Sequence, residues 1–249
     1  MRQSREPLAI LTPGRMEYQQ AWDLQRSIAE ARVAGTGPDT LIALEHPPVY
    51  TAGRRTAAAD RPVNGTPVID VDRGGSITYH GPGQLVVYPI VRLAEAMYVV
   101  AYVRMLERAI IATCAELGLD PIRVPGRSGV WFPAGDGRPE RKVAALGVRV
   151  AKGVTSHGLS LNADPDLAAF ERIVPCGIAD AGVTSLSLEL GREVTVDEVT
   201  PLMIRHLTAA LNGELPVVVA PTRPRAAVHP SVPPAAPGVH WELAPALSA

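Results

Sequence analysis

Cysteine is scarce in this chain of 249 residues, which has only two. Two cysteines cannot build a disulfide framework, and no C-x-x-C pair exists for zinc. The six histidines are scattered, with none at metal-ligand spacing. Aromatic residues make up 4% of the chain, too few for a base-stacking surface. Neither sign of charge is in excess, the net being −1, so neither the basic footprint of a nucleic-acid binder nor an acidic tail is present. No apolar run approaches the roughly 20 residues of a membrane helix. The stretch from Leu8 to Leu11 is too short for the apolar core of a signal peptide. These absences lead to the expectation of a soluble protein in a reducing, cytoplasmic compartment, with no nucleic-acid or membrane partner and no metal. With 47% hydrophobic residues, the chain can bury a large core as one domain.

The apolar pattern divides the chain. Residues 16–33 predict a helix, stopped by Gly35-Thr36-Gly37-Pro38. Leu41–Leu44 fits a buried strand that His46-Pro47-Pro48 ends. Val68–Val71 and Ile77–Tyr79 flank a turn built on Gly74-Gly75, and Leu85–Val91 has strand character. Residues 99–118 predict the clearest helix, with Val103, Leu106, Ile110, Cys114 and Leu117 on one stripe. Cys114 is therefore read as a small buried hydrophobe. Along 142–150, alternation puts Lys142, Ala144, Leu146, Val148 and Val150 on one strand face. Along 156–161 it groups His157, Leu159 and Leu161. Asp164-Pro165 reads as the start of a short helix, and Thr195-x-x-Glu198 as the capping box of the last one. Proline is dense from Pro216 to Pro234 and periodicity disappears, so the expected organisation is one domain over 1–215 and a Pro-rich tail over 216–249. Helices and strands intermix without regular alternation, which favours an α+β or mixed α/β domain over a doubly wound sheet.

Four places carry possible chemistry. Cys176 sits between Pro175 and Gly177, residues that break helices and strands, so its sulfur is displayed rather than packed. A thiol is mostly protonated at neutral pH and needs a base or a positive neighbour to act as a nucleophile. Otherwise Cys176 is an ordinary loop cysteine. Lys142 shares the parity of a buried strand face, where lysine is rare. Burial would make it a proton acceptor, unless it reaches back to solvent beside Arg141. The stretch from Arg73 to Gln84 holds four glycines in its first eleven residues, interleaved with Arg, Tyr, His and Gln. It matches neither a dinucleotide fingerprint nor a Walker loop, and reads as a pocket wall or as a glycine-rich hairpin with a satisfied histidine. His157-Gly158-Leu159-Ser160-Leu161-Asn162 is the fourth, a strand that could line a cleft.

These segments, with Leu44-Glu45-His46-Pro47-Pro48-Val49-Tyr50-Thr51 and Lys142-Val143-Ala144-Ala145-Leu146-Gly147, come in one order. Together they resemble the lipoyl(octanoyl) transferase family over about residues 40–190. The resemblance implies one α/β domain of the biotin protein ligase and lipoate–protein ligase kind, with a larger and a smaller mixed sheet flanked by helices. It implies transfer of an octanoyl group from acyl carrier protein to a lysine of a lipoyl domain, in lipoate biosynthesis. The acceptors it implies are the lipoyl domains of 2-oxoacid dehydrogenase complexes and the glycine cleavage H protein. Cys176 falls on the family's nucleophile and Lys142 on its general base. The acyl-binding segments fall on Arg73, Gly74, Gly75, Ser76, Ile77, Thr78, Tyr79 and His80, on Ala145, Leu146 and Gly147, and on Gly158, Leu159 and Ser160. Many relatives have serine where this chain has Ala145, so no hydroxyl role can apply there.

The expected route is a two-step acyl transfer through a Cys176 thioester with Lys142 as base. The thioester supplies the energy, so no cofactor is expected. Gly74, Gly75 and Gly81 are expected to make room for the acyl chain, with Ile77 and Tyr79 among its walls, and His80 to orient the carbonyl or Lys142. The alternatives are an ATP-dependent lipoate- or biotin-type ligase of the same fold, a Cys–His hydrolase pairing Cys176 with His80 or His157, and a non-catalytic acyl-binding protein.

Overall fold

The computed structural model of the chain describes residues 1–62, 66–95, 97–135, 137–173 and 181–215. In chain order these form β1 (Ala9–Arg15), α1 (Tyr18–Ala34), β2 (Thr40–Glu45), β3 (Val49–Ala52), β4 (Val68–Asp70), β5 (Ile77–His80), β6 (Gln84–Ile90), α2 (Val99–Glu116), β7 (Ile122–Val124) and β8 (Arg127–Phe132). There follow β9 (Arg141–Ala151), β10 (Val154–Asn162), β11 (Gly182–Val183), α3 (Leu186–Leu190) and α4 (Val196–Asn212). The large sheet runs β1-β2-β6-β10-β9-β8-β7, with β11 added in parallel beside the start of β9; a small sheet runs β4-β3-β5.

Strands with no polar alternation must be covered on both faces. β2 shows how this is done: Leu41 and Ala43 join the core beneath α2 and α4, while Ile42 and Leu44 pack with Ala21 of α1 on the other face. The α2 stripe buries Leu106, Ile110 and Cys114, and extends to Tyr102, Met105 and Ala109. Cys114 is fully buried, and burial pushes its thiol up to about 12. α1 ends at Gly35 in the left-handed region, with φ 77°, where glycine bears no steric cost.

Three expectations change. Val68–Asp70 and Ile77–His80 do not form a hairpin, because β3 lies between them, parallel to one and antiparallel to the other. The short helix starts two residues late, as a 3-10 turn over Leu167–Arg172 capped by Asp166. Before it, the N–H groups of Ala163 and Asp164 both donate to the Gly83 carbonyl, at 3.1 and 2.8 Å. Thr195 caps α4 through the Glu198 N–H at 3.2 Å, but Glu198 turns to Arg192 instead of closing the box. Cys176, with its neighbours Pro175 and Gly177, lies outside the described residues, as does everything from Pro216 on.

Candidate active site

The small sheet lies over the face of the large sheet that carries β6, β9 and β10, and a cavity of about 360 Å³ opens between them. That volume is in the range of small-molecule sites. Arg73, Gly75, Ser76, Thr78 and His80 line one side. Ala145, Leu146, Gly147, Gly158, Leu159 and Ser160 line the other, and Tyr18, Tyr88, His157 and Arg127 are among the remaining lining residues. These last two segments face each other across the β9–β10 hairpin, with Ser160 opposite Ala145 and Gly158 opposite Gly147.

Ile77 and Tyr79 are not walls. They alternate with Thr78 and His80 along β5, so their side chains turn away and pack with Tyr50, Phe170 and Ile173. The glycines also do other work than expected. Gly81 accommodates the Tyr79 ring, since a Cβ there would meet its hydroxyl at 2.2 Å. Gly74 donates its N–H to the Val148 carbonyl at 3.1 Å and does not line the cavity. Arg73 is buried and spends its guanidinium on the carbonyls of Gly74, Ser76 and Thr51 and on the Thr51 hydroxyl. It knits the glycine-rich loop to β3 and forms the wall with its body.

Lys142 is buried, as expected, but on the other face of β9. Its alternation partners Ala144, Leu146, Val148 and Val150 pack into the core beneath α2. Lys142 instead stands in a small recess that shares Thr78, Ala145 and Ser160 with the cavity. The cause is a break in register: Val130 of β8 pairs with Ala144 and Trp131 with Lys142, so Val143 is an extra residue in β9. One inserted residue reverses the face of all that follows. Val143 and Ala144 both enter the core, and Lys142 is left on the cavity side. Its Nζ lies 4.5 Å from the centroid of the Trp131 ring.

His157 is turned in a similar way. It was grouped with Leu159 and Leu161, which do enter the core. At φ 56° its side chain swings to the cavity face, where Nε2 meets Asp72 Oδ1 at 2.7 Å and the ring lies 5.9 Å from Trp22. Burial lowers its pKa, the neutral ring donates Nε2–H to Asp72, and Nδ1 has no partner among the described residues.

Donor counting fixes the state of His80. The Gln84 amide nitrogen donates to the Tyr79 carbonyl at 3.2 Å and to Asn162 Oδ1 at 2.9 Å, so its oxygen must accept from His80 Nδ1 at 2.7 Å. His80 Nε2 then holds a lone pair, which faces the Thr51 hydroxyl at 3.4 Å. Burial, and then the nearby His46, lowers the His80 pKa to about 3. The ring is neutral, and its one N–H is engaged by Gln84. The chain continues through Asn162, whose amide donates to the Thr184 carbonyl at 2.9 Å, while the Thr184 N–H donates to the Lys142 carbonyl at 2.9 Å. His46, lowered to about 4 by burial, donates Nδ1–H to the Met16 carbonyl and accepts from the Tyr88 hydroxyl, both at 2.7 Å.

Sequence reasoning assigned no role to Thr51, Gln84, Asn162, Gly129 or Trp131. One available signal concerned Lys142 itself. Of the 24 cationic residues only Lys142 and Lys152 are lysines, so a lysine inside a strand departs from the chain's own habit. Lys152 is exposed in the turn between β9 and β10. Among the described residues no group of three or more His, Cys, Asp and Glu could hold a metal ion, and no helix is long and apolar enough to cross a membrane.

Residues 17–208 match the family described as the lipoyl protein ligase A/B catalytic domain. Over 217 residues the chain is 60% identical to the octanoyltransferase of Mycobacterium avium (strain 104), covering 87% of this chain and 93% of that one. Its fold is similar to that of the bi-partite lipoate protein ligase from Thermoplasma acidophilum, studied with its E2 lipoyl domain. There the TM-score is 0.62 at 19% identity, over 83% of this chain and 85% of that one. The biotin protein ligase from Aquifex aeolicus, in complex with biotin and ATP, gives a TM-score of 0.51 at 15% identity, over 83% and 71%. At these identities the two structures speak for a shared fold alone, the expected one of a larger and a smaller sheet flanked by helices.

Proposed function

The chain belongs to the lipoyl protein ligase A/B catalytic-domain family, with octanoyltransferases as its near relatives, and on that premise we propose that it transfers octanoyl groups in lipoate biosynthesis. The donor is octanoyl-acyl carrier protein. The acceptor is a lysine of a lipoyl domain, in 2-oxoacid dehydrogenase complexes and the glycine cleavage H protein. The reaction belongs in the cytoplasm, and the catalytic unit is residues 1–215.

The observation that carries the mechanism is the placing of Lys142. A buried amine stands in a small recess that shares Thr78, Ala145 and Ser160 with the ligand-sized cavity, and the strand that follows the Cys176 segment pairs beside it, with Val183 opposite Lys142. Cys176 is three residues beyond Ile173, at most about 11 Å of chain. Ile173 itself packs against Tyr79 of the cavity-forming strand.

In the first step Lys142 takes the proton of the Cys176 thiol, and the thiolate attacks the thioester carbonyl of the donor. The new carbon–sulfur bond replaces the old one. The departing phosphopantetheine sulfur takes the proton back from the Lys142 ammonium. In the second step the neutral acceptor amine attacks the acyl-cysteine carbonyl and gives its proton to Lys142. An amide forms, and the proton passes to the Cys176 sulfur. The thioester supplies the energy, so no nucleotide is consumed. The cavity holds the acyl chain, and burial of eight carbons at ~0.8 kcal/mol per methylene supplies several kcal/mol to fix its register.

Mass spectrometry of the intact protein after exposure to octanoyl-carrier protein tests this. One octanoyl adduct is expected on the wild type, none on Cys176→Ser, and none on Lys142→Ala at matched times. Equal labelling of Cys176→Ser, or a strict requirement for ATP, would refute the covalent route. Adduct loss without a lipoyl domain present would point to hydrolysis.

A further inference from the structure

Trp131 and Lys142 are directly paired across β8 and β9: ordinary alternation turns Trp131 away from the core that Val130 and Phe132 enter, and the extra residue in β9 brings Lys142 to the same face. The contact between them is built. Both are buried, at 1% and 7% exposure, and the amine stands 4.5 Å from the ring centroid, within cation–π range. Gly129 makes the room. A Cβ there would meet the Ala144 carbonyl oxygen at 2.8 Å, Lys142 Cε at 3.1 Å and Trp131 Nε1 at 3.2 Å. Gly129 has φ 124°, and its N–H is held at 3.0 Å by Glu107, a carboxylate buried in α2. The indole N–H has no acceptor among the described residues. A second cation, Arg127, lies 5.8 Å from the same ring and is tied to Glu140 at 3.1 Å.

We infer that Trp131 is a positioning residue for the transfer reaction: its π face receives the Lys142 ammonium formed when the nucleophile gives up its proton. The inference rests on the assignment of Lys142 as proton acceptor. An indole face attracts the ammonium and is nearly indifferent to the amine. It therefore favours the state after proton transfer and holds the side chain aimed into the recess.

Replacing Trp131 by an aliphatic residue could unfold the protein, so the test keeps the ring's shape. In a Trp22→Phe, Trp241→Phe background, Trp131 is replaced by mono-, di- and tetrafluorotryptophan, which progressively empties the π face. Octanoyl transfer to a lipoyl domain is expected to fall in graded fashion, by up to about 30-fold across the series. The same series in an Arg127→Gln background separates the second cation and should keep the slope. Selective 13C labelling gives only two lysine signals. The Lys142 ε-methylene should be shifted upfield by the ring and should move along the series, unlike Lys152.

A flat activity series overturns the inference, whether or not the signal is shifted, and so does a slope that vanishes with Arg127. A Lys142→Ala variant as active as its parent would instead overturn the assignment of Lys142, whatever the spectra show. A graded fall together with a moving Lys142 signal supports both.

Discussion

His46 and His80 lie side by side, ring centroids 5.7 Å apart, and neither can take a proton without charging a dry interior. Burial holds the first at about 4 and the second at about 3 in the folded state, against about 6.5 in an unfolded chain. Both folded values are depressed, so protons prefer the unfolded state. The stability these rings confer is complete above pH 6.5 and is lost as the pH falls, toward 4 for His46 and toward 3 for His80. Each contributes a slope of about 1.4 kcal/mol per pH unit, about 2.7 for the two together. Urea unfolding at pH 7, 6 and 5 should show that fall, and His80→Gln should roughly halve it. An unchanged slope in the variant would mean that His80 is not titrating in this window. At this scale the sequence was partly legible. Arg73, Thr78, His80, Ala145, Gly147 and Ser160 do line one cavity, but what their polar atoms do was not readable. The donor count that fixes His80 runs through Gln84 and Asn162, which are 78 residues apart in sequence and 2.9 Å apart in space.

The elements follow their local signals closely. The α2 stripe, the apolar run of β2 and the Thr195 cap all lie where periodicity and capping chemistry put them. Thr195 satisfies an N–H at the start of α4, whose Met203 and Leu207 are part of the core. Thr195→Ala should therefore cost about 1 kcal/mol of stability, read as a lower denaturation midpoint, with Thr195→Ser close to wild type. What alternation could not give is the side of the sheet on which Lys142 and His157 stand. A period of two carries through a strand only while its backbone is regular. An extra residue at Val143 and a left-handed residue at His157 each break it. Both breaks turn a titratable side chain from the core to the cavity. The strand β3 was hidden for a different reason: Pro47-Pro48 read as a stop, yet they precede a strand that begins one residue later.

At the scale of the whole molecule, the cavity is a product of topology. The small sheet packs against Tyr18 and Trp22 of α1 and against the 3-10 turn, and a ligand-sized space is left between it and the face of β9 and β10. Leu215, the last of the described residues, packs against the core. A chain ending at residue 215 is accordingly expected to keep the melting temperature within about 2 °C and to retain octanoyl transfer. A large loss of either would assign the Pro-rich stretch to the catalytic unit.

Any protein that stores a carboxylic acid as a labile ester of sulfur beside amines risks modifying itself. Here the positive charge of the surface is carried by guanidinium groups, which are inert to such esters. The buried amine aside, the solvent-facing turn at Lys152 is the single place where a stray acyl group would find a side-chain amine. The molecule thus carries little that could compete with its acceptor for the cargo.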